Sequence, residues 1–418
     1  LTHTDYSVAI IGAGIVGLTT ALSLAEAGQR VVVIDRRGQA LEASFGNAGA
    51  LGFAEIMPLA SPGLIRKAIK WLFDPLGPLS IPPGYLPQIA PWLLRLWRAS
   101  RADRFHAAVA AQVQLMALAR EEMSAMLLRT GLAPQVHSDG ALELYEGERE
   151  FQASLAGARW REQNGIEIRH VQGDALAELQ PGLAPRFTHG TFIPGWQTVD
   201  EPHEFAVSVG QSALDRGAVY LQREVVAIGG GPAGTRLTFD DGQTLDAQQT
   251  VIAAGAWSHH LARQIGDRIP LETERGYNTT LPAGAFDVRR QLTFSQHGFV
   301  VTPLSCGLRI GGAVEFGGLS RAPDFRRSAT MLRKAQAFLP GLKAEGGKQW
   351  MGFRPSLPDT LPAIGRSARQ PAFIYAFGHG HLGLTQAAAT ARMVRDIALD
   401  QPPAIPLAPY RPERFRGH

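Results

Sequence analysis

The sequence predicts an α/β protein in which an N-terminal βαβ unit is joined to a second, α+β domain built on an antiparallel sheet. Three observations carry this. Ser7 to Ile11 and Val31 to Asp35 are buried-strand patterns flanking Gly14 to Ala27, where small and apolar residues alternate as in a close-packed helix. Strand and hairpin patterns dominate from Ala141 to Gly312. The chain closes as it opened, with a strand at Phe373 to Phe377, a glycine turn at Gly378 to Gly383 and an alanine-rich helix from Thr385 to Leu399. At 418 residues the chain exceeds one simple core and suits two domains.

In chain order, Leu1 to Tyr6 carries no basic run and Val8 to Ile11 is too short for a signal-peptide core, so no export signal is expected. Gly12-Ala13-Gly14-Ile15-Val16-Gly17 matches G-x-G-x-x-G at a strand-to-helix junction. There Gly12 permits the tight turn, Gly14 the approach of a pyrophosphate to backbone amides, and Gly17 the packing of helix on strand. Asp35 ends the second strand 18 residues beyond Gly17, where a carboxylate accepts hydrogen bonds from an adenosine ribose. Together these features predict a Rossmann-type dinucleotide site, and the motif alone does not choose between NAD and FAD. Arg36 and Arg37 fit a 2′-phosphate, the adenine side of any dinucleotide, or solvent.

Between Ser61 and Trp97 the chain turns proline-rich and aromatic, and Ala107 to Leu128 shows long helical periodicity, which reads as an insertion. Trp71, Trp92 and Trp97 lie there among apolar residues and cations. That composition suits peripheral contact of segment 64–98 with a membrane interface, and equally an interdomain helix surface. Further strands are expected at Ala141 to Tyr145, Val219 to Ile228, Arg236 to Leu245 and Thr250 to Ala253, with Gly229 to Pro232 as a turn. Val251 to Trp257 is a strand ending in small residues, as required where a chain passes beneath a bound dinucleotide. Phe299 to Val301 and Leu308 to Ile310 form a hairpin around Ser305-Cys306-Gly307. The amides at the start of the closing helix are placed to stabilise negative charge on a reduced flavin. A dinucleotide fingerprint at one end and a glycine-rich helix start at the other fit an extended FAD.

Composition narrows the class. Hydrophobic residues at 45% and charged residues at 19% describe an ordered globular protein, and no apolar run reaches bilayer length. A single cysteine excludes an intramolecular disulfide and fits a reducing cytoplasm. A net charge of +4 without a basic block gives no case for nucleic acid. His379 and His381, with no cysteine or acid cluster beside them, do not make a metal site, and none is expected.

The chain resembles the D-amino acid dehydrogenases, within the amine-oxidising flavoproteins that include glycine oxidase, sarcosine oxidase and D-amino acid oxidase. The resemblance runs over Ile11 to Gly17, Ser44-Phe45-Gly46-Asn47-Ala48-Gly49, Ala68 to Trp71, Gly352-Phe353-Arg354-Pro355 with Pro358-Asp359, and Gly378-His379-Gly380 with Leu382-Gly383 and Thr385. It implies a glutathione-reductase-like FAD-binding Rossmann domain over 1–60, 200–262 and 346–418, and a substrate domain over 61–199 and 263–345. It implies non-covalent FAD held by the glycine motif and Asp35, by Ser44, Asn47, Ala48 and Gly49, by Val225, Ala254, Gly255 and Trp257, and by Gly378 to Thr385, including Leu384. Cys306 reads as a turn residue and not as a point of flavin attachment. Arg354 is implied to bind the substrate carboxylate, a task for which its planar fork is suited.

Tyr277, His297 and His381 are carried as candidate pocket residues, the first two with a sheet surface as the alternative. The implied reaction is hydride transfer from the α-carbon of a D-amino acid to flavin N5, passing electrons to a respiratory quinone or another acceptor. His381 and Leu384 stand where broad-range relatives have threonine and tryptophan, and Phe353 replaces a leucine. These departures bring in a cyclic substrate such as D-proline or 4-hydroxy-D-proline. A glycine- or sarcosine-type amine oxidase using oxygen and a redox-silent FAD-binding subunit are the alternatives.

Overall fold

The structure is a computed structural model that describes residues 6–63, 79–232 and 234–415. Its first sheet grows from the predicted βαβ unit. Strand Tyr6–Ile11 pairs in parallel with Val31–Asp35 and, on its other side, with Thr244–Ile252, while Val219–Gln222 extends the sheet beyond Val31–Asp35. Strand Thr244–Ile252 then forks. Its first half pairs with the antiparallel Val225–Gly231 and Gly234–Phe239 hairpin, and its last residues pair in parallel with Phe373–Phe377. Strand Val225–Gly231 runs through Gly229 and Gly230, which face Arg236 and Thr235. The turn expected at Gly229 to Pro232 therefore starts later, because the ladder continues to Gly231. Helices Ile15–Glu26, Pro202–Leu214 and Gly383–Ala398 cover one face of this sheet with Val33, Ile374 and Val251 in a common core.

Helix Ala102–Thr130, expected with the substrate domain, instead adds Leu115, Met123 and Leu127 to that core. It packs along Gly383–Ala398, whose small residues let the two helices approach.

A second sheet runs in the order Lys348–Ser356, Glu272–Leu281, Gly307–Phe316, Phe299–Leu304, Gln291–Phe294, Ala141–Glu146, Phe187–Ile193, Arg169–Gln172. It is largely antiparallel, with parallel pairings of Gln291–Phe294 to Ala141–Glu146 and of Leu79–Ser80 to Gly307–Phe316. Lys348–Ser356 falls inside the stretch 346–418 expected in the FAD-binding domain. Nine paired positions with Glu272–Leu281 make it an edge strand of the second sheet. Helix Arg326–Phe338 packs through Met331, Ala335 and Phe338 into a core with Phe294, Val301 and Ile310 on one face of this sheet. The other face turns toward the first domain.

Within segment 64–98, residues 64–78, and so Trp71, lie outside the described residues. Trp92 is buried with Ile89 against Phe316, its ring 5.3 Å from that ring, whereas Trp97 is exposed. Among the described residues no helix is long and apolar enough to cross a membrane.

Candidate functional site

A cavity of about 960 Å³ lies between the two sheets, at the upper end of ligand-pocket volumes. Its floor is the carboxyl ends of four parallel strands, represented by Ile11, Asp35, Ala253 and Phe377, where open α/β sheets bind ligands. Its roof is the inner face of the second sheet, from Arg354 and Glu274 through Gly311 to Thr293.

At the first glycine turn the backbone comes so close that side chains have no room. Gly12 has φ +112°, and a Cβ there would stand 2.4 Å from the Ala253 carbonyl oxygen. A Cβ on Gly17 would stand 1.9 Å from the Gly12 oxygen, so Gly17 is a packing glycine and does not border the cavity. Gly14, Ile15 and Val16 border it. The Asp35 carboxylate is fixed at the rim by two backbone donors, Ala13 N–H and Arg37 N–H, each at 2.9 Å. Ser44 Oγ accepts from Ile15 N–H at 2.9 Å, pinning the second loop to the start of the helix.

Arg36 borders the cavity with its guanidinium 4.4 Å over the Trp257 ring and carboxylates of Glu42 and Glu224 nearby, at 3.6 and 4.0 Å. Those two negative charges disfavour a 2′-phosphate. Arg37 points away to Glu42 at 2.9 Å and does not reach the cavity. Val225, Ala254, Gly255 and Trp257 complete this end.

Along the middle, Asn47 and Ala48 border the cavity while Gly49, at φ +68°, turns the chain behind them. Two residues that the sequence reading did not single out hold this loop from the roof. Asn278 donates to the Gly46 oxygen at 2.6 Å and Arg309 to the Asn47 oxygen at 2.6 Å. Opposite, Thr385 at the start of the closing helix accepts from Gly52 N–H at 3.1 Å. Gly380 to Thr385 border the cavity and Gly378 does not. His379 borders it too, but its Nε2 engages Thr390 Oγ1 at 2.9 Å, and burial pulls its pKa down to about 3, so it is neutral. Among the described residues no cluster of His, Cys, Asp or Glu is arranged to hold a metal ion. Cys306 is exposed and does not border the cavity.

At the far end the closing turn is tied to the roof. Gly380 N–H donates to the Pro355 oxygen at 2.8 Å, and Ser356 bridges His379. Next to that link lies Arg354. Its guanidinium sits over Gly276, where a Cβ would meet Nη2 at 2.4 Å, and its one side-chain hydrogen bond among the described residues goes from Nη1 to the Ala313 oxygen at 3.0 Å. Burial pulls the Arg354 pKa below the ordinary guanidinium value and Glu274 pulls it back up. His381 shares this end. Its ring is open to solvent, and desolvation where it faces the protein lowers its pKa, with Glu274 opposing and Arg354 lowering it further. Glu274, buried and bordering the cavity, was also missed by the sequence reading.

Two expected pocket residues are turned elsewhere. Tyr277 touches the cavity border, but its hydroxyl donates to Glu315 and accepts from Asp324 N–H at 3.1 Å, within the core under helix Arg326–Phe338. His297 does not border the cavity. It pairs with Glu146 at 2.8 Å and lies against Phe338. For Tyr277 strand alternation is the cause, since Glu274, Gly276 and Asn278 share the cavity face and Arg275 and Tyr277 take the other; His297 sits in the single turn Ser295–His297 between two strands.

The cavity meets the physical demands of FAD. It offers backbone amides free of side chains at a helix start, a fixed carboxylate at one end, and a second helix start beside the loop from Ser44 to Ala48. Comparison with known proteins agrees. The family model described as FAD dependent oxidoreductase (DAO) matches residues 7–397. A protein named D-amino-acid oxidase from Bradyrhizobium diazoefficiens is 33% identical, the match covering 98% of each chain. A D-amino acid dehydrogenase from Rhizobium rhizogenes is 29% identical over 93% of this chain and 95% of its own. Among solved structures, glycine oxidase from Geobacillus kaustophilus superimposes with a TM-score of 0.77 at 23% identity, covering 99% of this chain and 100% of that one. L-proline dehydrogenase from P. horikoshii gives 0.74 at 20%, covering 99% and 98%. A match over nearly the whole length, on a fold whose cavity carries the dinucleotide fingerprint, places this chain in the FAD dependent oxidoreductase (DAO) family, as an oxidoreductase that works with FAD.

Proposed function

We propose that the chain oxidises a D-amino acid at its α-carbon, with Arg354 binding the carboxylate. The observation that carries this reading is the half-buried Arg354 guanidinium, set over Gly276 at the end of the cavity with one side-chain hydrogen bond among the described residues. A half-buried cation with spare donors facing a cavity suits an anion, and a carboxylate matches its fork. The names of the D-amino-acid oxidase and D-amino acid dehydrogenase relatives support the substrate class.

FAD, when bound, supplies the acceptor for the α-hydrogen as a hydride. The protein's part is to orient and to exclude water. Arg354 fixes two carboxylate oxygens and so sets the direction of the α-carbon. Phe353 borders the cavity and meets Trp257 edge to face at 5.5 Å. Cyclic secondary amines, D-proline and 4-hydroxy-D-proline, remain part of the proposal because His381, Leu384 and Phe353 reshape the pocket relative to broad-range relatives. Domain roles follow: the first sheet and its helices hold the cofactor, and the inner face of the second sheet holds the substrate.

Anaerobic mixing with a panel of D- and L-amino acids, both prolines included, tests the reading. D-amino acids should bleach the flavin band, and a panel in which only L-amino acids, or none, do so overturns it. The same relatives divide between oxidase and dehydrogenase by name. We favour a dehydrogenase passing electrons to a quinone or similar acceptor, and rapid peroxide formation in air counts against that choice.

A further inference from the structure

Arg354 does not stand alone at the end of the cavity. In the antiparallel pairing of Glu272–Leu281 with Lys348–Ser356, Glu274 is the residue opposite Arg354. Directly opposed residues carry their side chains on the same face, with Cβ atoms about 5 Å apart. Both border the cavity. Glu274 is only 5% exposed, yet none of the side-chain hydrogen bonds or salt bridges among the described residues includes its carboxylate. Arg354 takes part in no salt bridge there either, and its one bond goes to a backbone oxygen. Two opposite charges, Glu274 buried and Arg354 half-buried, thus border one end of a cavity with no ion pair between them. Leaving each without a direct partner is unfavourable. A ligand carrying an anion and a cation on adjacent positions relieves both at once.

We propose that Glu274 receives the α-ammonium group of the substrate and takes its proton, so that Arg354 and Glu274 together recognise a zwitterion. The inference rests on the amino-acid reading of the site. Its chemical need is plain. An ammonium nitrogen has no lone pair to stabilise the positive charge that develops at the α-carbon as the α-hydrogen leaves with its electron pair. One N–H bond must therefore break first. The nitrogen keeps that electron pair as a lone pair, and the proton forms a new O–H bond on the Glu274 carboxylate, giving a neutral amine and a carboxylic acid. No other reactant is required for this step.

The neighbours of Glu274 are compatible with it. Arg354 faces it from the adjacent strand and His381 from the closing turn. Glu272 precedes it on the same face, and both oxygens of Glu272 are engaged by the Tyr85 hydroxyl at 3.1 Å. Of these groups, Glu274 is the carboxylate left without a donor among the described residues.

The test uses the FAD-loaded protein, its Glu274→Gln and Glu274→Asp variants, and two probes. One is the D-amino acid that bleaches the wild type fastest, its apparent Kd read from single-turnover saturation at several pH values. The other is 2-furoate, a carboxylate of proline-like ring size without an amine, whose binding is read from the flavin spectrum without turnover. Glu274→Gln is expected to weaken the amino acid roughly 10- to 100-fold near neutral pH, the worth of a hydrogen bond to a charged group. The loss should shrink about tenfold per pH unit as the amine deprotonates in solution, while the wild type stays flat over that range. For 2-furoate the same variant should bind tighter than wild type, because a carboxylate that faced the anion is gone. Glu274→Asp should keep the wild-type signs for both probes, which covers the case of a glutamine variant that fails to fold. Equal weakening of both probes marks a merely structural residue and overturns the proposal. So does an amino-acid pH profile parallel to wild type, or an aspartate variant with the glutamine signs. Wild-type protein that no amino acid bleaches overturns the functional reading and this inference together, whereas bleaching with unchanged Glu274 variants overturns the inference alone.

Discussion

Replacing Arg354 with methionine keeps the length and apolar character of the side chain while removing the cation. The guanidinium spends one Nη1 hydrogen bond on the Ala313 oxygen and has its remaining donors available at the cavity end. A bidentate carboxylate would use two of them, each charge-assisted bond contributing about 1.5–3 kcal/mol. A combined loss of about 3–5 kcal/mol corresponds to roughly a 10²- to 10⁴-fold fall in kcat/KM. Because the contact forms with the ground-state carboxylate, most of that fall should be in KM. The flavin should stay bound, since Gly14, Asp35 and Ser44, the residues proposed to hold it, line the cavity at the other sheet. His381 should titrate higher in the variant, because Arg354 is one of the groups that depress it. Anaerobic stopped-flow bleaching with a D-amino acid series gives the saturation curve, and histidine NMR gives the titration. Wild-type saturation behaviour in a flavin-replete Arg354→Met protein would refute the carboxylate role.

Gly276→Ala places a methyl group 2.4 Å from Arg354 Nη2, the movable end of a long side chain. The fold and flavin content should survive while KM rises at least several-fold, and an unchanged KM would show that Arg354 does not work from this position. Gly12→Ala meets backbone, with a Cβ 2.4 Å from the Ala253 oxygen at φ +112°, so nothing can yield. Purified protein should be colourless or insoluble, and a normal flavin-to-protein ratio counts against the cofactor site. His379 is buried with its pKa lowered from 6.5 to about 3. Its unfolded form takes a proton first as pH falls. The stability it contributes is therefore complete above about pH 6.5 and is lost toward about pH 3, by up to about 1.4 kcal/mol per pH unit. His379→Gln should flatten the dependence of urea midpoint on pH between ~7 and ~5, and an unaltered slope contradicts the assignment.

Local signals in the sequence were enough for the cofactor turn. Gly12 to Gly17 and Asp35 are read from spacing alone, since turn, helix start and strand end are consecutive in the chain, and the structure ties Asp35 to that turn through Ala13 N–H. Arg354 was legible only through a resemblance to known flavoproteins, as one arginine in a strand carries no local mark. Glu274, Asn278 and Arg309 were not legible at all. They reach the cavity because pairing of Glu272–Leu281 with Gly307–Phe316 and Lys348–Ser356 turns one face of each strand inward, a register set by contacts distant in sequence. Tyr277 and His297 show the same limit in reverse. Both are plausible as residue types, and alternation along the strands and the Glu146 and Glu315 carboxylates draw them to the opposite side. The long helix Ala102–Thr130 was foreseen as a helix, yet its partners were not, because its apolar residues do not say which core they complete.

The hydrogen bond from Gly380 to Pro355 couples two parts of the chain that arise from different domains. A displacement of the arginine strand cannot occur without pulling on the loop that begins the last helix. Engineers who transplant the roof of a relative onto this scaffold to alter its preference should therefore move residues 378–383 as part of the same cassette, since a mismatched seam would displace Arg354 relative to the floor of the cavity.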